Sequence, residues 1–111
     1  MCFQYAERIK SELILASALI WRVVELGKEQ RAEAGKLVEC FLLALRGEIR
    51  IASNALKIPN FEEAGGRVEE AIQHVRRGEY PLANRLIAEA ISRITTSGQR
   101  AIETLKMNGL L

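Results

Sequence analysis

The segment Leu13–Leu26, LILASALIWRVVEL, constrains the fold of this chain more than any other part of the sequence. Only Ser17, Arg22 and Glu25 interrupt its apolar side chains. The segment is shorter than the roughly 20 residues that a helix needs to cross a bilayer, so we interpret it as a buried helix and expect no membrane anchor. A helix that is apolar on several sides must be covered on several sides, and the rest of the chain has to supply that cover.

A strict four–three spacing of apolar residues runs along this first helix, as it does in coiled coils and helix bundles. Trp21 lies beside that stripe, and Phe41 belongs to an apolar stripe on the next predicted helix. We interpret these residues as one seam, which lies either in the core of the chain or in a dimer interface. The seam consists of Ile9, Leu13, Ala16, Ile20, Val23, Trp21 and Phe41.

The order of residues along the chain predicts an all-α fold. Helix-forming residues dominate, and no stretch alternates apolar and polar residues for long enough to indicate a strand. Glycine and proline divide the chain into four helices, which we expect to form a bundle of two helical hairpins in a single domain, 1–111. The predicted helices cover 3–26, 36–57, 61–77 and 81–107.

The connection between the first two helices has two interpretations. Gly27–Gly35, GKEQRAEAG, is polar and bracketed by glycines, which favours a loop, with the second helix beginning after it or inside it. Its other residues are good helix formers, so one continuous helix is the alternative. That helix would be roughly 80 Å long at about 1.5 Å per residue, and only an intertwined dimer could bury it. We favour the break.

The first two helices carry more apolar surface than the other two can cover. Each of the first two is apolar on more than one side, whereas the third and fourth offer one stripe each. Leaving a few large side chains in water would cost several kcal/mol at roughly 25 cal/mol per Å². We therefore expect a homodimer, and a different protein partner would suit the same surface.

Charge and cysteine content narrow the classes of function. The net charge is +2 with both signs interleaved, so nothing requires nucleic acid or anionic lipid. Asp is absent, which disfavours Ca²⁺ and Mg²⁺ sites, and Cys2 and Cys40 form no paired-ligand motif. We expect no metal and no cofactor. Two thiols without a signal-peptide pattern indicate a cytoplasmic protein.

One pair of residues suggests catalysis. Arg67 and His74 are separated by six residues, which places them about two turns apart on one side of the third helix. This spacing resembles that of the HEPN ribonucleases, small helical proteins that use such a pair at a dimer interface. The resemblance implies that His74 would help to activate a ribose 2′-hydroxyl and that Arg67 would stabilise the phosphate. Val68 departs from the family pattern, in which a polar residue usually follows the arginine.

The start of the fourth helix resembles part of a repeat family. Gly78-Glu79-Tyr80, Ala83 and Ala90 stand where a tetratricopeptide repeat places its glycine, acidic residue, tyrosine and small residues. The resemblance covers only the second half of one repeat. It implies a helical hairpin packed like such a repeat.

Basic and polar residues recur further along the same predicted helix. A face that carries them could contact phosphates, which is the generic electrostatic mode of nucleic-acid binding. Apart from the resemblance to HEPN ribonucleases, this is the support in the sequence for a nucleic-acid partner. The residues are Arg85, Ser92, Arg93, Gln99 and Arg100.

The sequence contains no catalytic triad, no Gly-rich phosphate loop and no metal cluster. We therefore favour a non-enzymatic, self-associating interaction or scaffold module of the cytoplasm. The alternative is a HEPN-like ribonuclease or nucleotide-binding domain that uses Arg67 and His74.

Overall fold

Four α-helices make up the fold. The computed structural model describes residues 2–107, with side chains for 4–95, and this part of the chain contains no strand. The prediction of an all-α fold with four helices is confirmed. The helices are α1 (Cys2–Glu25), α2 (Lys28–Leu56), α3 (Pro59–Arg76) and α4 (Tyr80–Met107).

The helices pack as an elongated bundle with dimensions of 55 × 22 × 17 Å. Each helix contacts two others: α1 and α3 both pack against α2 and against α4. Successive helices are antiparallel. Arg8 near the start of α1 reaches Glu48 near the end of α2, and Glu39 of α2 reaches Arg76 at the end of α3.

The predicted start of the second helix at Lys36 is wrong. Only Leu26 and Gly27 separate the two helices, and α2 begins at Lys28. Most of the segment Gly27–Gly35, which we predicted to be a loop, is therefore helical. Gly27 has an extended backbone and its carbonyl accepts the first helical bond from the N–H of Arg31 at 2.9 Å. The same break also excludes one continuous helix through α1 and α2.

Gly35 lies inside α2, and Tyr80 of α4 packs directly against it. A Cβ atom at Gly35 would lie 2.6 Å from the hydroxyl oxygen of Tyr80. That hydroxyl donates a long hydrogen bond of 3.4 Å to the carbonyl of Arg31. The glycine is therefore explained by the close approach of a tyrosine ring and not by a turn.

The four–three stripe of α1 lies in the centre of the bundle. Its described members are at most 3 % exposed, while Cys2, the first residue of the stripe, lies outside the described side chains. α2, α3 and α4 each turn one apolar stripe toward it. The largest fully buried side chains are Phe61, Ile9, Leu13, Ile20, Leu42, Ile49, Ile72, Ile87, Ile94 and Val68.

Candidate functional site

Large aliphatic side chains remain exposed on the outer surface of α1 and α2. Leu37 is 73 % exposed, Ile51 68 %, Leu15 51 % and Leu26 36 %. Leu15 and Leu26 are eleven residues apart, and Leu37 and Ile51 fourteen, so each pair falls on one side of its helix. Scattered single apolar residues are normal on a surface, whereas contiguous apolar patches are typical of interaction sites. We call these four residues the α1–α2 face.

An open apolar groove lies between the two helices of this face. It has a volume of about 500 Å³ and runs between the C-terminal half of α1 and the N-terminal half of α2. Leu26 and Leu37 stand on its rim, and the half-buried Leu19 and Phe41 line it with them.

The structure divides the predicted seam into two groups. Ile9, Leu13, Ala16, Ile20 and Val23 are buried inside the subunit and belong to its core. Phe41 is partly buried and borders the apolar groove. Trp21 is 52 % exposed, and it shares its side of α1 with Ile14, seven residues earlier. The five buried residues are therefore not available to a second copy.

A carboxylate pair bridges α1 and α2 beyond the groove. Burial, together with a hydrogen bond and charge repulsion from Glu48, raises the pKa of Glu12 from 4.5 to about 7, against the opposing effect of Arg8. Arg8 contacts both carboxylates and lies 5.6 Å from the centre of the Tyr5 ring. The sequence analysis missed this pair because the two glutamates come together only when the helices pack.

Arg67 and His74 lie on α3 and are both engaged by carboxylates. Arg67 is 3.7 Å from Glu89 of α4 and 3.8 Å from Glu70 of its own helix. His74 Nδ1 is 2.9 Å from a carboxylate oxygen of Glu79. Both side chains are partly exposed. The contacts of Arg67 with Glu89 and of His74 with Glu79 join α3 to the segment that follows it, so in this arrangement both residues take part in packing the α3–α4 hairpin.

Within the described part of the predicted basic face of α4, one of the two arginines is paired with a carboxylate. Arg93 lies 3.4 Å from Glu63 of α3, and Arg85 is exposed. Gln99 and Arg100 lie outside the described side chains. Tyr80, Ala83 and Ala90, which match positions of a tetratricopeptide repeat, are all buried. Packing within the bundle therefore accounts for the tyrosine and the two small residues at these positions.

Comparisons of the chain with protein-family models, with curated proteins and with solved structures found no match. None of the helices in the described part of the chain is long and apolar enough to cross a membrane. Among the same residues no group of three metal-ligating side chains comes together. The functional argument therefore depends on the surfaces of the bundle.

Proposed function

We propose that this protein is a self-associating interaction module of the cytoplasm that forms a homodimer through the α1–α2 face. The observation that carries the proposal is the exposure of Leu15, Leu26, Leu37 and Ile51, of which Leu26 and Leu37 line an apolar groove. The role is non-enzymatic: the dimer would serve as a scaffold for other proteins.

The energy of burying this face is sufficient for association. A fully buried aliphatic side chain contributes about 1.5–3 kcal/mol, so covering the exposed parts of these four residues would contribute on the order of 3–7 kcal/mol per chain. Forming a dimer costs roughly 4–15 kcal/mol in lost translational and rotational freedom. Two copies of the face exceed the lower part of that range. We therefore expect a weak dimer, with a dissociation constant on the order of 0.1 mM.

A two-fold arrangement fits the shape of the face. In a symmetric dimer the same patch on both subunits forms the interface, so the α1–α2 pair of one subunit would pack on the same pair of its partner. The two α1–α2 pairs would then form a four-helix interface in which Leu37 of each subunit fills the groove of the other. Half-buried Leu19 and Phe41 would then lose their remaining contact with water.

The mass of the particle in solution tests this proposal. Light scattering after size exclusion, at chain concentrations up to about 0.5 mM, should show the wild-type mass rising toward twice the 12.4 kDa of one chain. Leu37→Glu should remain monomeric at every concentration, because it places a charge in the centre of the interface. Its helical circular dichroism should be unchanged, since Leu37 makes little contact within the subunit.

A matched control distinguishes the effect of the α1–α2 face from the effect of lowering surface hydrophobicity in general. Leu82 is 43 % exposed but lies on α4, so Leu82→Glu should dimerise like the wild type. A wild-type protein that stays at the mass of one chain up to the highest concentration would refute the dimer.

The competing proposal is a HEPN-like ribonuclease that uses Arg67 and His74. Their common side of α3, at a separation of about 10 Å along the axis, is the observation that favours it. The contacts of Arg67 with Glu89 and of His74 with Glu79 would have to open before either residue could contact RNA. Incubation of labelled RNA with the wild type and with His74→Ala tests this proposal. Cleavage by the wild type alone would support it, and cleavage by neither would remove it.

A further inference from the structure

The carboxylate pair of Glu12 and Glu48 adjoins the α1–α2 face. Glu12 lies three residues before Leu15 on α1, and Glu48 lies three residues before Ile51 on α2. Residues three apart in a helix share a side, so each glutamate stands one turn from an exposed aliphatic residue of the face. A partner that covers Leu15 and Ile51 would therefore also lie against the two carboxyl groups.

Both carboxyl groups are already short of water in the single subunit. The side chain of Glu12 is 31 % exposed and that of Glu48 28 %. A hydrogen bond joins the two groups, and burial is the largest cause of the rise in the pKa of Glu12 to about 7. A carboxylate has no hydrogen to donate, so the hydrogen bond requires a proton on one of the pair. Covering the surface that remains exposed would favour this proton further.

The charges that act on Glu12 come from its own helix and from α2. Glu48 opposes its ionisation, and Arg8, which contacts both carboxylates, favours it. The Tyr5 ring, 5.6 Å from the Arg8 guanidinium, adds no charge. With Glu12 protonated, the charges of Glu48 and Arg8 balance. With Glu12 ionised, two negative charges face one positive charge, and an interface would have to bury the unpaired one.

The other helices contribute no charge to this cluster among the described residues. α4 also packs against α1, but its Glu89 and Arg93 pair with side chains of α3, and its Arg85 is exposed. α3 does not contact α1, so His74 on α3 lies across the bundle from Glu12. Protonation of Glu12 therefore decides the net charge of the cluster.

We propose that self-association through the α1–α2 face is linked to protonation of Glu12: the dimer is tightest when the pair of Glu12 and Glu48 holds one proton, and it weakens when both carboxyl groups are ionised. This inference rests on the proposed dimer and adds the proton as its regulator. The dimer covers more of the pair than the single subunit does, so it binds the proton more tightly, and by linkage the proton stabilises the dimer. The affinity is constant well below pH 7, where both states hold the proton, and falls above it.

Light scattering at pH 6 and at pH 8 tests the linkage. At about 0.5 mM chain, a dissociation constant on the order of 0.1 mM at pH 6 places roughly three-quarters of the chains in dimers. Each dimer holds two such pairs, so we expect roughly tenfold weaker association at pH 8, which leaves roughly two-fifths of the chains in dimers. A thiol reductant prevents disulfide cross-links, and circular dichroism verifies that the chain is folded at both pH values.

Glu12→Gln imitates the protonated carboxyl group and separates the linkage from other effects of pH. This variant should dimerise equally at pH 6 and pH 8. At pH 8 it should associate roughly tenfold more tightly than the wild type, because its cluster stays neutral.

Two control variants change ionisable groups on α3. Glu70→Gln removes one exposed carboxylate, so it makes the same change of net charge away from the face. His74→Gln removes the single histidine of the chain, the type of side chain that ordinarily changes charge between pH 5 and 8. Both variants should keep the wild-type response to pH.

The possible results distinguish the linkage from the dimer itself. A wild-type dimer that is equally tight at both pH values, or tighter at pH 8, would overturn the linkage and leave the dimer in place. The same holds if Glu12→Gln keeps the full response to pH, or if His74→Gln loses it. A wild-type mass of one chain at both pH values would refute the proposed dimer, and the linkage with it.

Discussion

At the scale of single residues, the glycines of this protein occur in different structural environments. Gly35 accommodates the Tyr80 ring, Gly78 has a φ of +75° in the turn before α4, and Gly47 has open space around its missing side chain. In the sequence, Gly35 and Gly78 stand at predicted helix boundaries, whereas Gly47 lies inside the predicted helix 36–57. Only the packing shows that the first is required by a neighbour, the second by the backbone and the third by neither.

Alanine substitutions should separate these causes. Gly47→Ala should stabilise the protein by about 0.5–1 kcal/mol, because alanine loses less backbone entropy in a helix. Gly35→Ala should be less stable than the wild type, because the new Cβ would overlap the Tyr80 hydroxyl. Urea unfolding at one fixed chain concentration measures both effects.

A double variant provides the control. Tyr80→Phe removes the hydroxyl, so Gly35→Ala in that background should recover most of the lost stability. Equal effects of Gly35→Ala and Gly47→Ala in the wild-type background would contradict the packing explanation.

At the scale of helices, α1 and α2 are joined at one end by ionisable groups and at the other by apolar ones. Arg8, Glu12 and Glu48 form the polar end, and the apolar groove forms the other. Glu12 titrates near neutral pH, so the contact between these two helices depends on protonation.

The stability of the protein should fall as the pH rises from about 4.5 to about 7. The pKa of Glu12 is higher in the folded state than in the unfolded chain, so folding favours the protonated form. Its contribution is complete below the unfolded pKa and is lost as the pH rises through the folded pKa. After allowance for solvent, the change should be roughly 1–3 kcal/mol.

Glu12→Gln imitates the protonated form and should remove most of this pH dependence, raising stability at pH 8. Urea unfolding at several pH values measures it, with the exposed Glu25→Gln as the control. A slope that is identical in the wild type and Glu12→Gln would show that other groups cause the dependence.

At the scale of the whole molecule, folding and the proposed association involve different sides of the same helix pair. Ile20 lies in the core and Leu37 on the α1–α2 face, although both belong to apolar stripes of the sequence. The predicted seam combined these two functions because a helical repeat shows that residues share a side, and it does not show which partner covers that side.

Charges placed at the two positions should therefore give different results. Ile20→Glu should unfold the chain, since a buried unpaired charge costs several kcal/mol, whereas Leu37→Glu should stay folded as a monomer. Arg22→Glu replaces an exposed residue and should be tolerated apart from its ion pair with Glu25. Circular dichroism and light scattering measure the two outcomes, and a folded Ile20→Glu would contradict the assignment of α1 to the core.

The sequence by itself determined the all-helical fold, the four helices and the stripe of α1 that enters the core, because these features depend on local preferences and on a period of 3.6 residues. Tertiary packing decided the rest. The polar segment after Gly27 is helical, and there Tyr80 of α4 packs on Gly35. Packing also determined which side of Leu13–Leu26 is covered and brought Glu12 to Glu48. Each of these depends on contacts between residues far apart in the chain, and the periodicity of one helix contains no information about its neighbours.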